Sequence, residues 1–308
     1  MSTTTPPLMV VPKQSARAAK AAARADAAKT KLSSPWASLA AIIIAILWTI
    51  PTIGMVVNSV RTAPGPTSSG WWNFFGQYPF TFDNYTNAWT GNGTGAPLSN
   101  FMLNTVVITL PAVFIPISLA LIAAYAFAWI PFKGRSLLFV AVFALQIVPI
   151  QVALIPLNTM YVSWGIGKSF WPIWFSHTIF GLPLAIFLLH NFMKEIPASI
   201  IEAARVDGAG HVKIFFRVLL PLLVPAIAAF AIFQFLWVWN DLLVALTFAS
   251  GTNTKPITAG IQGLTTQFQS AANILPAAAM IALVVPLVVF LSMQRFFVRG
   301  LLAGSVKG

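Results

Sequence analysis

Hydrophobic positions in this chain are gathered into long blocks rather than arranged on alternating faces. Six apolar segments, near residues 35–60, 101–130, 137–160, 170–192, 219–248 and 274–298, are separated by shorter polar stretches. A bilayer core takes about 20 apolar residues in a helix, and every block reaches that length. With no water in the core, a helix lets one segment satisfy its own N–H and C=O groups, so the pattern predicts six membrane-spanning helices. Several blocks exceed a straight span and carry prolines, which predicts tilt or kinks. Residues 1–34 read as a polar tail and 35–308 as the membrane domain.

The longest polar interruption of the second half is 194–221. It reads as two short amphipathic helices joined by a sharp turn. Pro197 suits a first helical turn, and Ser199 with Glu202 three residues on fits a capping box. Asp207-Gly208 supplies the stop, because glycine accepts the left-handed conformation a helix end needs. Val212, Phe215, Phe216 and Leu219 follow at i, i+3, i+4 and i+7, with Lys213 and Arg217 on another face. Such an element lies flat on a surface or docks into a groove.

Composition agrees with a bilayer as solvent: 58% of residues are hydrophobic and 8% charged, where a soluble domain has about 25% charged. A net charge of +12 would suggest nucleic acid in a soluble chain, but its distribution points to topology instead and gives no nucleic-acid partner. If the N-terminus is inside, the inner segments hold six basic residues in the tail (Lys13, Arg17, Lys20, Arg24, Lys29, Lys31), then Lys133, Arg135, Lys194, Arg205, Lys213, Arg217, Arg295, Arg299 and Lys307. The outer segments hold Arg61, Lys168 and Lys255. This bias places both termini, and the 194–221 loop, in the cytoplasm. The tail fits either a helix on anionic membrane lipid or an unstructured extension. Outside, 61–100 is dense in aromatics, among them Trp71, Trp72, Phe74, Phe75, Tyr78, Tyr85 and Trp89. They suit an interfacial belt, or contact with a soluble partner or a sugar face.

Reactive chemistry is sparse. There is no cysteine, which excludes disulfides and thiol catalysis. Gly167-Lys168-Ser169 resembles the end of a phosphate-binding loop, but the glycine required five positions earlier is Val162 and the stretch falls outside, so energy from ATP must come from another subunit. His177, His190 and His211 lack metal spacing, and no carboxylate pair suits acid–base catalysis; the chain reads as non-catalytic, with no cofactor or metal of its own. Asp241 is the one acid inside a predicted span. Its cost of about 2.5–3.5 kcal/mol requires an interior, cavity or partner to face. Gln234, Trp237, Trp239 and Asn240 beside it supply the rings and amides a sugar needs. A polar clasp between helices accounts for the same residues equally well.

Five motifs along the chain resemble one family. Glu202-Ala203-Ala204, then Asp207-Gly208-Ala209 and Leu220-Pro221, resembles the cytoplasmic coupling loop of permease subunits of ATP-binding-cassette importers. Trp239-Asn240-Asp241-Leu242-Leu243-Val244-Ala245-Leu246 resembles the fifth-helix signature of carbohydrate permeases. Residues 294–308, from Gln294-Arg295-Phe296-Phe297 to Ser305-Val306-Lys307-Gly308, resemble the tail of the maltose-type six-span subunit, and Phe82-Asp83-Asn84-Tyr85 before the second span and Ala124-Tyr125-Ala126-Phe127 at its end resemble the same subfamily.

The resemblance implies an all-α membrane protein with the type I importer permease fold: six transmembrane helices, cytoplasmic termini, and a coupling helix between the fourth and fifth. It implies a subunit of a bacterial plasma-membrane sugar importer, for an α-glucoside or maltose-type oligosaccharide. The implied partners are a second homologous permease, two ATPase subunits that hold ATP and Mg, and an external sugar-binding protein or lipoprotein. Residues 251–273 resemble the outer loop that probes the binding protein's cleft. Other solutes, such as a polyol or glycerol phosphate, stay open. A proton-coupled secondary transporter is the alternative from another class; it calls for ionisable residues along a pathway, where Asp241 stands nearly alone.

Overall fold

The computed structural model describes residues 35–62, 70–73, 79–93, 95–249, 253–265 and 273–303, with side chains of the last segment described to 294. The basic tail, Phe74, Phe75, Tyr78, and most of the C-terminal motif lie outside the described residues or side chains. The described residues are helical apart from turns and one isolated antiparallel bridge between Arg61 and Phe80.

By internal contacts the chain divides into two units, Met1–Met55 and Val56–Gly308. Helix α1 (Pro35–Ser59) fills the described part of the first and runs into the second. It carries no charged residue, and the Thr49 hydroxyl donates back to the Ala45 carbonyl, which satisfies it without an outside partner.

In the second unit, α2 (Asp83–Thr90) precedes α3 (Leu98–Trp129), which lies along α6 (Trp171–Glu195) in the most extensive helix pair. At 32 residues α3 is about 48 Å long, more than a bilayer core of about 30 Å. Ala112, Ala120 and Ala124 of α3 and Ala185 of α6 are wholly buried. Between helices in lipid, small residues let backbones approach closely and so gain dispersion contacts. Leu189 and Met193 of α6 and Phe230 complete this core.

Two of the predicted spans are broken helices. The third consists of α4 (Arg135–Ala144, ending in a 3₁₀ turn, Leu145–Ile147) and α5 (Ile150–Ser163), bent by 97°. Val148 precedes Pro149 and is pushed to an extended ψ of 119° because the proline ring clashes with a helical conformation there. The fifth begins in α8 (His211–Leu222), bends by 71°, continues as α9 (Val224–Trp239), and after Asn240-Asp241-Leu242 resumes as the short α10 (Leu243–Phe248). Pro225 sits in the first turn of α9, where its missing N–H cannot continue α8. The helices α11 (Ile257–Thr265) and α12 (Ile274–Ala303) follow and pack on one another. Among the described residues four helices, α1, α3, α6 and α12, are each long and apolar enough to cross a membrane, and up to six spans result if each bent pair counts as one.

Candidate functional site

The polar loop after α6 is built as two helices, with two corrections. Helix α7 (Ala198–Val206) has Pro197 at its N-cap, in extended conformation, and no side chain caps it. Ser199 is therefore already inside the first turn, and the expected capping box does not form. In α8 the turn Phe215–Leu219 is π-helical, so its extra residue rotates the register. Val212 and Phe216 are exposed while Ile214 and Leu219 are buried, and the expected Val212, Phe215, Phe216, Leu219 stripe is not one face.

The stop between them is a Schellman motif. Gly208 adopts φ +74°, its N–H donates to Arg205 O at 3.0 Å, and the Ala209 N–H donates to Ala204 O at 2.9 Å. Ala204 and Ala209 are the residues that pack back on the core, together with buried Ile201. Glu202, Ala203, Asp207 and Gly208 are exposed, beside Val206, which is 87% exposed. The motif thus joins a half-buried alanine pair to a solvent-facing edge. At its far side the Tyr125 hydroxyl and His211 Nδ1 lie 2.7 Å apart, and Phe215 packs edge-on against Tyr125. These contacts tie the C-terminal end of α3 to the start of α8. Between α3 and α8 runs an apolar groove of about 480 Å³ lined by Leu121, Ile122, Tyr125, Phe215 and Phe216.

The second cluster gathers at the α9–α10 break. Asp241 Oδ2 accepts the Ala245 N–H at 3.1 Å, satisfying an amide of the first turn of α10, and the Asp241 carbonyl accepts from Thr258 Oγ1 at 2.7 Å. The same Oδ2 lies 3.8 Å from Nε2 of His177, which is buried on α6. Trp237 packs edge-on against the His177 ring. Gln234 is fully buried and donates from Nε2 to Ala112 O at 3.1 Å and His177 O at 3.4 Å. Its approach to α6 requires glycine at 181, because a Cβ there would stand 2.8 Å from Gln234 Oε1. Trp239 is buried, stacks on Phe235 and donates to Ala282 O of α12. Asn240 is exposed and donates to its own helix at Leu236 O.

Four of the five residues singled out here, Gln234, Trp237, Trp239 and Asp241, thus reach other helices or cap one, which is the clasp geometry; Asn240 alone faces out. Sequence missed His177 as a member, since it lies on another span. No group of three potential metal ligands occurs among the described residues. The motif around Asn84 also has a structural use, since its Nδ2 donates to Ser59 O at 3.0 Å and Arg61 O at 2.9 Å.

These features define a helical membrane subunit with an exposed helix–turn element after its fourth apolar block. Residues 88–302 match the family described as binding-protein-dependent transport system inner membrane component, and the chain belongs to that family. It is 46% identical over 275 residues to the osmoprotective compounds uptake permease protein GgtD of Synechocystis sp., covering 87% of this chain and 91% of that one. It is 48% identical over 235 residues to the alpha-glucoside transport system permease protein AglG of Rhizobium meliloti, covering 74% of this chain and 61% of the relative. A solved bacterial ABC transporter involved in the import of the acidic polysaccharide alginate shares the fold, with a TM-score of 0.70 at 19% identity over 85% of this chain and 96% of that one.

Proposed function

We propose that this chain is the permease subunit of an ATP-driven sugar importer of the bacterial plasma membrane, forming half of the translocation pathway. Each bent helix pair counts as one span in this reading, giving six, with both termini cytoplasmic as the basic-residue bias requires. The observation that carries it is the exposed edge Glu202, Ala203, Asp207 and Gly208, held on a Schellman stop whose alanines pack on the core. A helix docked in an ATPase cleft needs an exposed face and a rigid rear attachment, and α7 has both. The chain itself holds no cofactor; ATP and Mg belong to two ATPase subunits, and a second permease and an external solute-binding protein complete the assembly. A solved bacterial alginate ABC transporter of similar fold, in complex with an alginate pentasaccharide-bound periplasmic protein, supports such a partner.

The substrate reading is an α-glucoside or maltose-type oligosaccharide, supported by the name of the Rhizobium relative. The Synechocystis relative's name favours a second reading, a small osmoprotective solute of polyol type. None of the six predicted spans carries in its interior the basic groups an anionic solute would call for, Arg295 standing at the end of the sixth. The test is co-purification from detergent-solubilised membranes, followed by ATPase and uptake assays with candidate solutes and the binding protein. Recovery of an ATPase and a second permease, with stimulation by an α-glucoside, supports the first reading; stimulation by a polyol alone selects the second. A lone homo-oligomer overturns both.

A further inference from the structure

The buried pair His177 and Asp241 stands where three helices meet the outer segment. Helix α11 is fastened to α3 at its start: the Ile257 N–H donates to Thr105 Oγ1 at 2.8 Å, and Asn104 Nδ2 donates to Asn253 O at 2.8 Å and Lys255 O at 3.0 Å. One residue into α11, the Thr258 hydroxyl reaches across to the Asp241 carbonyl in the α9–α10 break. The Asp241 carboxylate is fixed by the Ala245 amide and faces His177 on α6. From His177 to Glu195, α6 runs without interruption for about 27 Å and leads through Ile196-Pro197 into α7. A chain of contacts, open only between Asp241 and His177, therefore runs from the segment bearing α11 to the exposed edge of α7.

The step between Asp241 and His177 is not closed. His177 Nδ1 donates to Ile173 O at 2.9 Å, and Nε2 has no hydrogen-bond partner among the described residues although it is buried. At 3.8 Å the pair is about 1 Å beyond a charge-assisted bond. With Nδ1 carrying the ring proton, Nε2 and the carboxylate are both acceptors, so a bond between them would need a shorter separation and one added proton. No acidic or basic side chain lies on α3, α5, α9, α10 or α11, or on α12 to Gln294; α4 carries Arg135, α6 itself carries His190, Lys194 and Glu195 in its last turns, and the Tyr161 phenol of α5 is bonded to Ser176 of α6.

We infer that Thr258, Asp241 and His177 are positioning residues that carry the docking of the solute-binding protein at the outer segment to α6, and so to the ATPase face of α7. This rests on the importer reading above and adds to it the route by which the outer side reaches the inner. A contiguous path alone is not coupling, so the claim is tested by its energetics.

The experiment measures ATP hydrolysis by the complete complex in lipid nanodiscs, with and without its binding protein. Thr258→Val removes the hydroxyl and keeps the shape. It is expected to cut the binding-protein-dependent increment about threefold to tenfold, the worth of one hydrogen bond, with basal hydrolysis and complex yield unchanged. Thr258→Ser should restore the increment. His177→Phe should give a similar loss, and the double variant no further one, because both act in one line. Full stimulation in Thr258→Val, a parallel fall in basal hydrolysis, or losses that multiply in the double variant each overturn the route while leaving the importer reading intact. A wild-type chain that recovers no ATPase removes that reading and the route with it.

Discussion

The amide of Ala209 reaches back over left-handed Gly208 to the carbonyl of Ala204, 2.9 Å away. This single bond explains the spacing of the Glu-Ala-Ala and Gly-Ala pairs. Ala204 and Ala209 occupy the two positions that a Schellman motif brings together, and their small side chains let the loop lie close to the core. Glu202, Ala203 and Asp207 are left facing outward.

Gly208→Pro is expected to uncouple ATP hydrolysis from uptake while membrane abundance stays intact. Proline cannot adopt φ +74° and has no N–H for Arg205 O, so the stop opens and the edge turns. Gly208→Ala meets no atom within 4 Å and pays only the left-handed conformation, about 1–2 kcal/mol, so a weaker defect should follow. Uptake and hydrolysis measured on the same preparation check this; normal coupled uptake in Gly208→Pro would remove α7 from the coupling role.

Trp239→Ala and Asn240→Ala should separate, although the two residues are neighbours. Trp239 is buried, stacked and bonded to α12, so its truncation leaves a cavity costing about 3–5 kcal/mol and should lower yield and melting temperature. Asn240 is exposed and bonds only its own helix, so Asn240→Ala should leave stability within about 0.5 kcal/mol of wild type. A changed solute KM in Asn240→Ala then assigns it to the pathway; unchanged kinetics leave the cluster as a clasp.

How much of this was legible in advance depends on whether the information was local. Block length and prolines gave the spans, and Asp207-Gly208 gave the helix stop. The 97° break was present only as Pro149, because proline says that a helix ends but not where the next one points. The apolar stripe of α8 failed since counting by threes and fours presumes a regular helix, and a π turn adds a residue without a signature. His177 and Asp241 meet only once α6 and α9 are packed, so neither residue's neighbours in sequence announce the other.

Gly181→Ala tests the packing that sets up this cluster. Its Cβ would stand 2.8–2.9 Å from the amide of Gln234, which must leave Ala112 O or push the helices apart. Loss of a buried amide bond costs about 1–3 kcal/mol. A lower melting temperature in detergent is expected, relieved by Gln234→Ala in the same chain, since the shorter side chain makes room. Additive losses in the double variant would show that the two residues do not press on each other.

Asn84→Ala should loosen the outer side without touching the coupling loop. Asn84 is buried, and its amide nitrogen is shared between Ser59 O and Arg61 O, while neighbouring Tyr85 places its hydroxyl 2.7 Å from Ser59 Oγ. Removing the amide strips two carbonyls of one donor, at about 1–3 kcal/mol, whereas Tyr85→Phe removes one partner of an exchangeable hydroxyl pair and should cost about 1 kcal/mol. Limited proteolysis is the sensitive readout, because these bonds fasten Ser59 and Arg61 to α2. Faster cleavage in Asn84→Ala than in Tyr85→Phe, with ATPase association unchanged in both, is the expected order; equal cleavage in wild type and Asn84→Ala would mean that the Phe82-Asp83-Asn84-Tyr85 motif serves something other than this fastening.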